Sequence, residues 1–379
     1  MTIQREPAPR PKAPEAGNIN HPKARKLAMR VTKECELALQ KAIAHKADPR
    51  TYPLPQDPRS VERLLVARLE RLSPEQLRRV AGRVMPQVKA DKATRERSYG
   101  DLAAIDLHKD ASVFEQSARL TLPKELRLER DDVEALTRHG AGNGHAHSGA
   151  GRPSGGSPGP RPAAGRPSGS SPAIAPLGNL ELRIHSVRCV DDTGEIGNDE
   201  ISCGGASVYN ADVRKVSPFA VGDFRDGDVK TYSPPRRFVS FDLRDRTPFP
   251  RSYYATVALA ETDGGGFMDF LNTLLDKIDD RVTALLSAAA GAAVGTAIGT
   301  AIPGIGNLVG AVVGAAVGGL IGLLKTVAED DILGAETVSV DMASPSHRFG
   351  GNTESPQGVK KFDGHHSSYE VRYSWRLYS

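Results

Sequence analysis

The chain has 379 residues, 50 Lys/Arg against 46 Asp/Glu and a formal net charge of +4, a length that predicts two or three domains. Three cysteines, Cys35, Cys189 and Cys203, are too few for a disulfide framework. The opening MTIQREPAPRPKAPEAG is polar and proline-rich, without the apolar core of a signal peptide. A bacterial cytoplasmic origin is therefore expected, and action on another membrane would need an export route without a cleaved signal.

The charge is placed unevenly. Residues 1–139 carry 28 Lys/Arg and 20 Asp/Glu, whereas 179–379 carry 19 and 26. A basic front and an acidic back predict different partners for the two halves. In chain order, residues 1–20 read as a disordered N-terminus, and 21–139 as a basic helical domain. Leu27, Val31, Cys35, Leu39 and Ile43 share one face of a first helix, with basic residues opposite. A proline-rich connector (Pro49, Pro53, Pro55, Pro58) leads to a second helix marked by Val61, Leu64, Leu65, Val66 and Leu69. Ser73-Pro74-Glu75-Gln76 has the form of a capping box with proline at the first helical position, and opens a third helix that carries Pro86.

Residues 140–178, rich in Gly, Pro, Ser and Arg, read as a flexible linker. From Asn179 the period changes to two. Strands are expected at Leu180–Ile184, Phe238–Leu243, Tyr253–Leu259 and Thr337–Met342. The last strand is the clearest, with Tyr369, Val371, Tyr373, Trp375 and Leu377 on one face. Short strands without a βαβ rhythm predict an antiparallel β-sandwich over 179–379. The fold class is thus multidomain α + β: a small N-terminal helical domain, a flexible linker, and a C-terminal β-sandwich interrupted at 267–328.

That interruption is the most informative part of the chain. Val282 to Leu324 spans 43 positions without a charged residue. Glycine recurs at every fourth position, at Gly291, Gly295 and Gly299, then at Gly306, Gly310, Gly314, Gly318 and Gly322, with Pro303 breaking the run. Each glycine in an exposed helix would cost about 1 kcal/mol relative to alanine, so this spacing points to close helix packing along a glycine stripe. The reading is a glycine-zipper helical hairpin with arms near 281–302 and 308–325. Each arm is close to the roughly 20 residues a bilayer core requires. Gly264, Gly265 and Gly266 form its hinge. Acidic residues flank it (Asp276, Asp279 and Asp280 before, Glu329, Asp330 and Asp331 after), and their protonation at low pH would lower the cost of membrane entry.

Over about residues 267–328, this composition and period resemble the hydrophobic hairpins of colicin-type pore formers and other GxxxG-repeat membrane-inserting proteins. The resemblance implies a membrane-active, pore-forming toxin or effector that associates as a homo-oligomer and has lipid as its partner. The alternative is a soluble structural or adaptor protein of a secretion or contractile injection assembly, whose hairpin mediates oligomerisation. In either case the N-terminal domain is expected to dock or target.

Enzyme signatures are missing: no GxxxxGK[ST], HExxH or CxxC occurs, so no catalytic residue is expected and no cofactor is required. Asp191, Asp192, Asp199 and Glu200 in one loop, with Glu261 and Asp263 in another, could converge as oxygen ligands for calcium. They lack a fixed ligand spacing, and solvated acidic turns are the simpler reading. Arg78, Arg79, Arg83, Arg95 and Arg97 make a basic face on the helical domain. It has no interleaved aromatics for base stacking, so nucleic acid is not expected.

Overall fold

The structure, a computed structural model, describes residues 22–129, 131–132, 176–192, 199–209, 212–245, 249, 251–261, 267–290, 312–313, 316, 319–320, 332–364 and 367–379. The expected disordered N-terminus and almost all of the expected linker lie outside them. The N-terminal part is helical, with α1 (Pro22–Ala47), α2 (Val61–Leu69), α3 (Pro74–Val88), α4 (Lys92–Tyr99) and α5 (Val113–Arg119), and 3-10 turns at Gly100–Ala104 and Lys124–Leu126. The C-terminal part carries β1 (Asn179–Asp191), β2 (Asp199–Tyr209), β3 (Asp212–Phe224), β4 (Val229–Asp242) and β5 (Arg251–Glu261), then β6 (Ile332–Met342), β7 (Gly358–Asp363) and β8 (Ser368–Tyr378). A further helix, α6 (Phe267–Ala290), falls between β5 and β6.

The helices start where side chains can take the orphaned backbone donors. Ser73 Oγ accepts from Gln76 N–H at 3.2 Å, while Gln76 Oε1 accepts from Ser73 N–H at 2.8 Å, which completes the expected capping box. Ser112 and Glu115 form a second box at the start of α5, which the sequence also spells (Ser112-Val-Phe-Glu115).

The strands form two antiparallel four-stranded sheets, ordered β4-β1-β8-β7 and β3-β2-β5-β6. In the first, Leu180 stands opposite Leu377, Leu182 opposite Trp375 and Ile184 opposite Tyr373. These residues share one apolar cluster with Phe238 and Phe241, and with Tyr253, Val257 and Leu259 of the second sheet. All five expected strand segments are present. The strands not foreseen are β2, whose Gly204-Gly205 pair reads as a turn, β3, which contains Pro218, and the short β7.

The second sheet is covered on both faces. Ala206, Val208, Ala258 and Ala260 belong to the helical cluster, together with Leu271, Leu274, Leu275 and Ile278 of α6. Alanines on this outer face let a helix lie close. The same cluster holds Leu27, Val31, Cys35 and Ile43 of α1, so α6 sits between strands and helices. Of the basic residues expected opposite the apolar face of α1, Arg25 and Lys26 are exposed and Lys33 is half-buried, whereas Arg30 and Lys41 are buried with Glu34 and Gln40. Lys41 Nζ donates to the carbonyls of Lys109 and Ala111, which satisfy it away from water.

Gly205 on β2 has φ +146°, and a Cβ there would lie 1.9 Å from the Thr256 carbonyl oxygen of β5. Backbone clash and a φ unsuited to L side chains act together. Gly205→Ala is expected to cost roughly 2–4 kcal/mol, measured by urea unfolding. Gly82, in α3 with open space around it, is the opposite case: Gly82→Ala should stabilise by about 0.5–1 kcal/mol.

Candidate functional site

α6 begins at Phe267, well before the uncharged run, because Leu271, Leu274, Leu275, Ile278, Val282, Leu285, Leu286 and Ala289 keep one apolar face continuous. Arg281 falls on this face and is 6% exposed. A guanidinium cannot stay in such a place without partners, and α1 supplies them.

Arg281 Nε donates to Glu34 Oε2 at 2.6 Å and Arg281 Nη2 to Glu34 Oε1 at 2.9 Å, a two-pronged contact. Glu34 is 0% exposed. One helical turn earlier, Arg30 Nε stands 3.2 Å from Glu34 Oε1. Its Nη1 donates to both oxygens of Asp101, at 2.9 and 2.7 Å. Ser117 on α5 knits the group together: its hydroxyl donates to Glu34 Oε1 and accepts from Arg281 Nη2 at 3.0 Å. Two cations and two anions therefore close a neutral network joining α1, α5 and the first 3-10 turn to α6. Beyond it, Leu128 N–H donates at 2.7 Å to the Ala289 carbonyl near the end of α6, taking one of the acceptors a helix end leaves open.

The other side of the uncharged run reaches the same helices. Val312, Val313, Ala316 and Leu320 are buried in the cluster that contains α1. Gly319 lies so near α1 that a Cβ on it would be 2.5 Å from Thr32 Cγ2. The glycines of the predicted zipper (Gly291, Gly295, Gly299, Gly306, Gly310, Gly314, Gly318, Gly322), Pro303 and the hinge Gly264, Gly265 and Gly266 lie outside the described residues. Among the described residues, no helix is long and apolar enough to cross a membrane. Asp276 pairs with Lys215 of β3 at 2.7 Å.

The acidic residues considered for calcium are on strands more than in loops. Asp191 ends β1, Asp199 and Glu200 open β2, and Glu261 ends β5 opposite Ile201. Asp199 Oδ2 is taken by the Tyr369 hydroxyl at 2.6 Å, and Asp192 N–H donates to Asp226 Oδ1 at 2.6 Å. Asp263 lies outside the described residues, and among those described no group of three or more His, Cys, Asp or Glu is placed to hold a metal ion. Of the basic face, Arg95 is turned inward, donating to the Ile105 carbonyl at 2.8 Å.

One cluster has the composition of a nucleophilic site without its geometry. Ser374 Oγ donates to Glu354 Oε1 at 2.7 Å and meets His185 Nε2 at 2.8 Å. Since the hydroxyl proton goes to Glu354, His185 presents Nε2–H, and its Nδ1 faces Gln357 at 3.2 Å. A base that activates a serine needs the opposite arrangement. The three thiols are buried. Burial pushes the Cys189 thiol up to about 11 and raises Cys35 and Cys203 as well, so all three are held in the unreactive form.

No protein-family model, curated protein or solved structure matches the chain. The sequence reading missed Arg281 and Glu34, although a signal exists for both. Arg281 falls at a core position of the Leu274, Ile278, Leu285 stripe, and Arg30, Glu34 and Lys41 fall at turn-spaced positions of a helix otherwise rich in Ala and Leu.

Two predictions follow the buried charges. Arg281→Met strands the Glu34 carboxylate with Arg30 alone, and should cost about 3–5 kcal/mol. The Glu34→Leu, Arg281→Met double variant should cost less than the two singles together, by at least about 1 kcal/mol in a urea-denaturation cycle. Glu62 is 1% exposed, with Oε1 accepting from Val113 N–H at 2.6 Å and Oε2 buried without a hydrogen bond. Burial raises its carboxyl pKa above the usual glutamate value. The folded chain then holds the proton more tightly than the unfolded one, so stability falls as pH rises from the unfolded value through the folded one. Glu62→Gln should flatten this slope above the ordinary glutamate value of about 4.3 in thermal melts.

Proposed function

We propose that the chain is a non-enzymatic membrane-active protein, a pore-forming or membrane-permeabilising toxin or effector. It inserts a glycine-zipper helical hairpin, residues 267–328, carried on a β-sandwich made by the two sheets. The observation that supports this reading is the uncharged, glycine-periodic run 282–324, with described residues at both its ends buried against protein. A segment of this composition leaves water in one of two ways, by packing on protein or by entering lipid.

In lipid, the apolar stripe gives no drive for one arm to seek another, and small residues at four-residue spacing supply close backbone contact instead. Gly291, Gly295 and Gly299 on one arm, with Gly306, Gly310, Gly314, Gly318 and Gly322 on the other, are the surfaces for arm pairing and homo-oligomer assembly. The flanking carboxylates keep both ends of the hairpin on one side of the bilayer. The N-terminal helices are the partner-facing part, toward a secretion or injection machine in a bacterial setting. Calcium held by the acidic strand ends would be an accessory.

A second reading is favoured by a separate observation: α6 is covered by strands on one side and by α1 and α2 on the other. In that reading the chain is a structural or adaptor protein whose hairpin joins copies of itself and never meets lipid.

Dye release from anionic liposomes by the full chain, at pH 7 and pH 5, separates the two. Wild type is expected to release dye, and Gly295→Leu, Gly314→Leu to lose at least about tenfold of the rate, since bulky side chains hold the backbones apart. Absence of both binding and release at either pH sinks the membrane reading. Concentration-dependent self-association without lipid, abolished by the same double variant, would then support the assembly reading.

A further inference from the structure

We infer that the N-terminal helical region is an intramolecular mask for the inserted segment, latched by the Glu34–Arg281 ion pair. The masking stands on geometry alone, while its consequence for lipid rests on the membrane-active reading above. Three separate contacts place helices of the front of the chain over the uncharged run. At its start, Arg281 is gripped by Glu34 and Ser117. Near the C-terminal end of α6, Leu128 caps the Ala289 carbonyl. Beyond the run's middle, Val312, Val313, Ala316 and Leu320 share the α1 cluster, and Gly319 touches Thr32.

The chemistry of the central contact suits release. An interface of leucine on leucine holds in proportion to its area and gains nothing when opened. A buried ion pair gives up most of its attraction to the desolvation of its two charges, so it fixes register more than it adds strength. When it opens, both groups recover their water. The mask is also built to survive opening: Arg30 stays tied to Asp101 and remains beside Glu34, so Glu34 keeps a cation when Arg281 leaves. Only one side of the network departs.

Cys35, next to Glu34 on α1, is a native reporter. Its thiol is fully buried, close enough to Glu34, Glu62 and Arg281 to feel their charges, and raised chiefly by burial. Cys189 and Cys203 lie in the separate cluster between the sheets. Opening the mask therefore uncovers one cysteine of three, whereas general unfolding uncovers all three.

The test uses the full chain with Glu34→Gln, which keeps the shape of the side chain and removes the charge. Site-resolved maleimide labelling is expected to accelerate at Cys35 by at least about tenfold, with Cys189 and Cys203 unchanged, as local opening requires. A lock complements the latch variant. A Cβ at Gly319 would lie 3.2 Å from Thr32 Cβ, within a few tenths of an ångström of the roughly 3.5–4.5 Å of a disulfide. In a Cys35→Ala background, Thr32→Cys with Gly319→Cys should close a disulfide that abolishes dye release from phosphatidylglycerol-containing liposomes until it is reduced. Equal release by the locked and reduced forms overturns the mask. So does equal acceleration of all three cysteines in Glu34→Gln, which would make the ion pair a support of the whole fold. Selective Cys35 labelling together with no dye release from any form, wild type included, keeps the mask and sinks the membrane reading instead.

Discussion

Arg281 and Glu34, drawn out of water where α6 meets α1, are the constraint around which the N-terminal part is arranged. A guanidinium and a carboxylate at such depth tolerate only one mutual placement, since any slip of a turn leaves a buried charge unpaired. Ser117 and Arg30 belong to the same solution: the Ser117 hydroxyl is a further donor to Glu34, and Arg30 stands beside it as a second cation. α5 and the turn carrying Asp101 are thereby drawn to the same point. The burial of α1 over most of its later turns follows: it carries strand-facing helix α6 on one flank and its own helical neighbours on others.

The strands contribute a second constraint. β5 and β6 pair directly, Val257 opposite Glu336 and Tyr253 opposite Val340, although the whole inserted segment lies between them in sequence. The insertion leaves from and returns to one end of the β5–β6 ladder, where Ala260 stands opposite Ile332. The sheet of β5 and β6 accommodates α6 through Ala206, Ala258 and Ala260, while Tyr253, Val257 and Leu259 belong to the apolar cluster that holds residues of both sheets. The strand alternation thus serves two cores at once. A segment tethered in this way can change its packing without unpicking a strand.

Much of this was legible from residues alone. The 3.6-residue period of α1, the capping box at Ser73 and the period-two runs of β1, β5 and β8 report local physics, and local physics decided those elements. β2 was hidden because Gly204 and Gly205 look like a turn, and only the neighbouring Thr256 carbonyl explains why glycine is required there. The candidate site was hidden for another reason. Glu34 and Arg281 fall at inward positions of their own helices, but each is met by a partner 247 positions away in sequence. Periodicity places a residue on a face, and it does not say what meets that face. The acidic residues near the strand ends show the same limit: proximity in sequence grouped Asp199 with other carboxylates and gave no sign of the Tyr369 hydroxyl that meets it.

The separation between Glu34 and Arg281 also has a temporal meaning. A ribosome that has finished α1 must add the rest of the helical region, the following segment and five strands before α6 exists. Throughout that interval Leu27, Val31 and Ile43 lack part of their eventual cover, and Glu34 lacks its second cation. The front of this chain is therefore made first but completed only after five strands have followed it. Contacts of such long range delay folding, because the chain must close a large loop before they form. Until α6 arrives, the apolar residues of α1 stay without part of their cover, and such transiently exposed surface is prone to non-specific association.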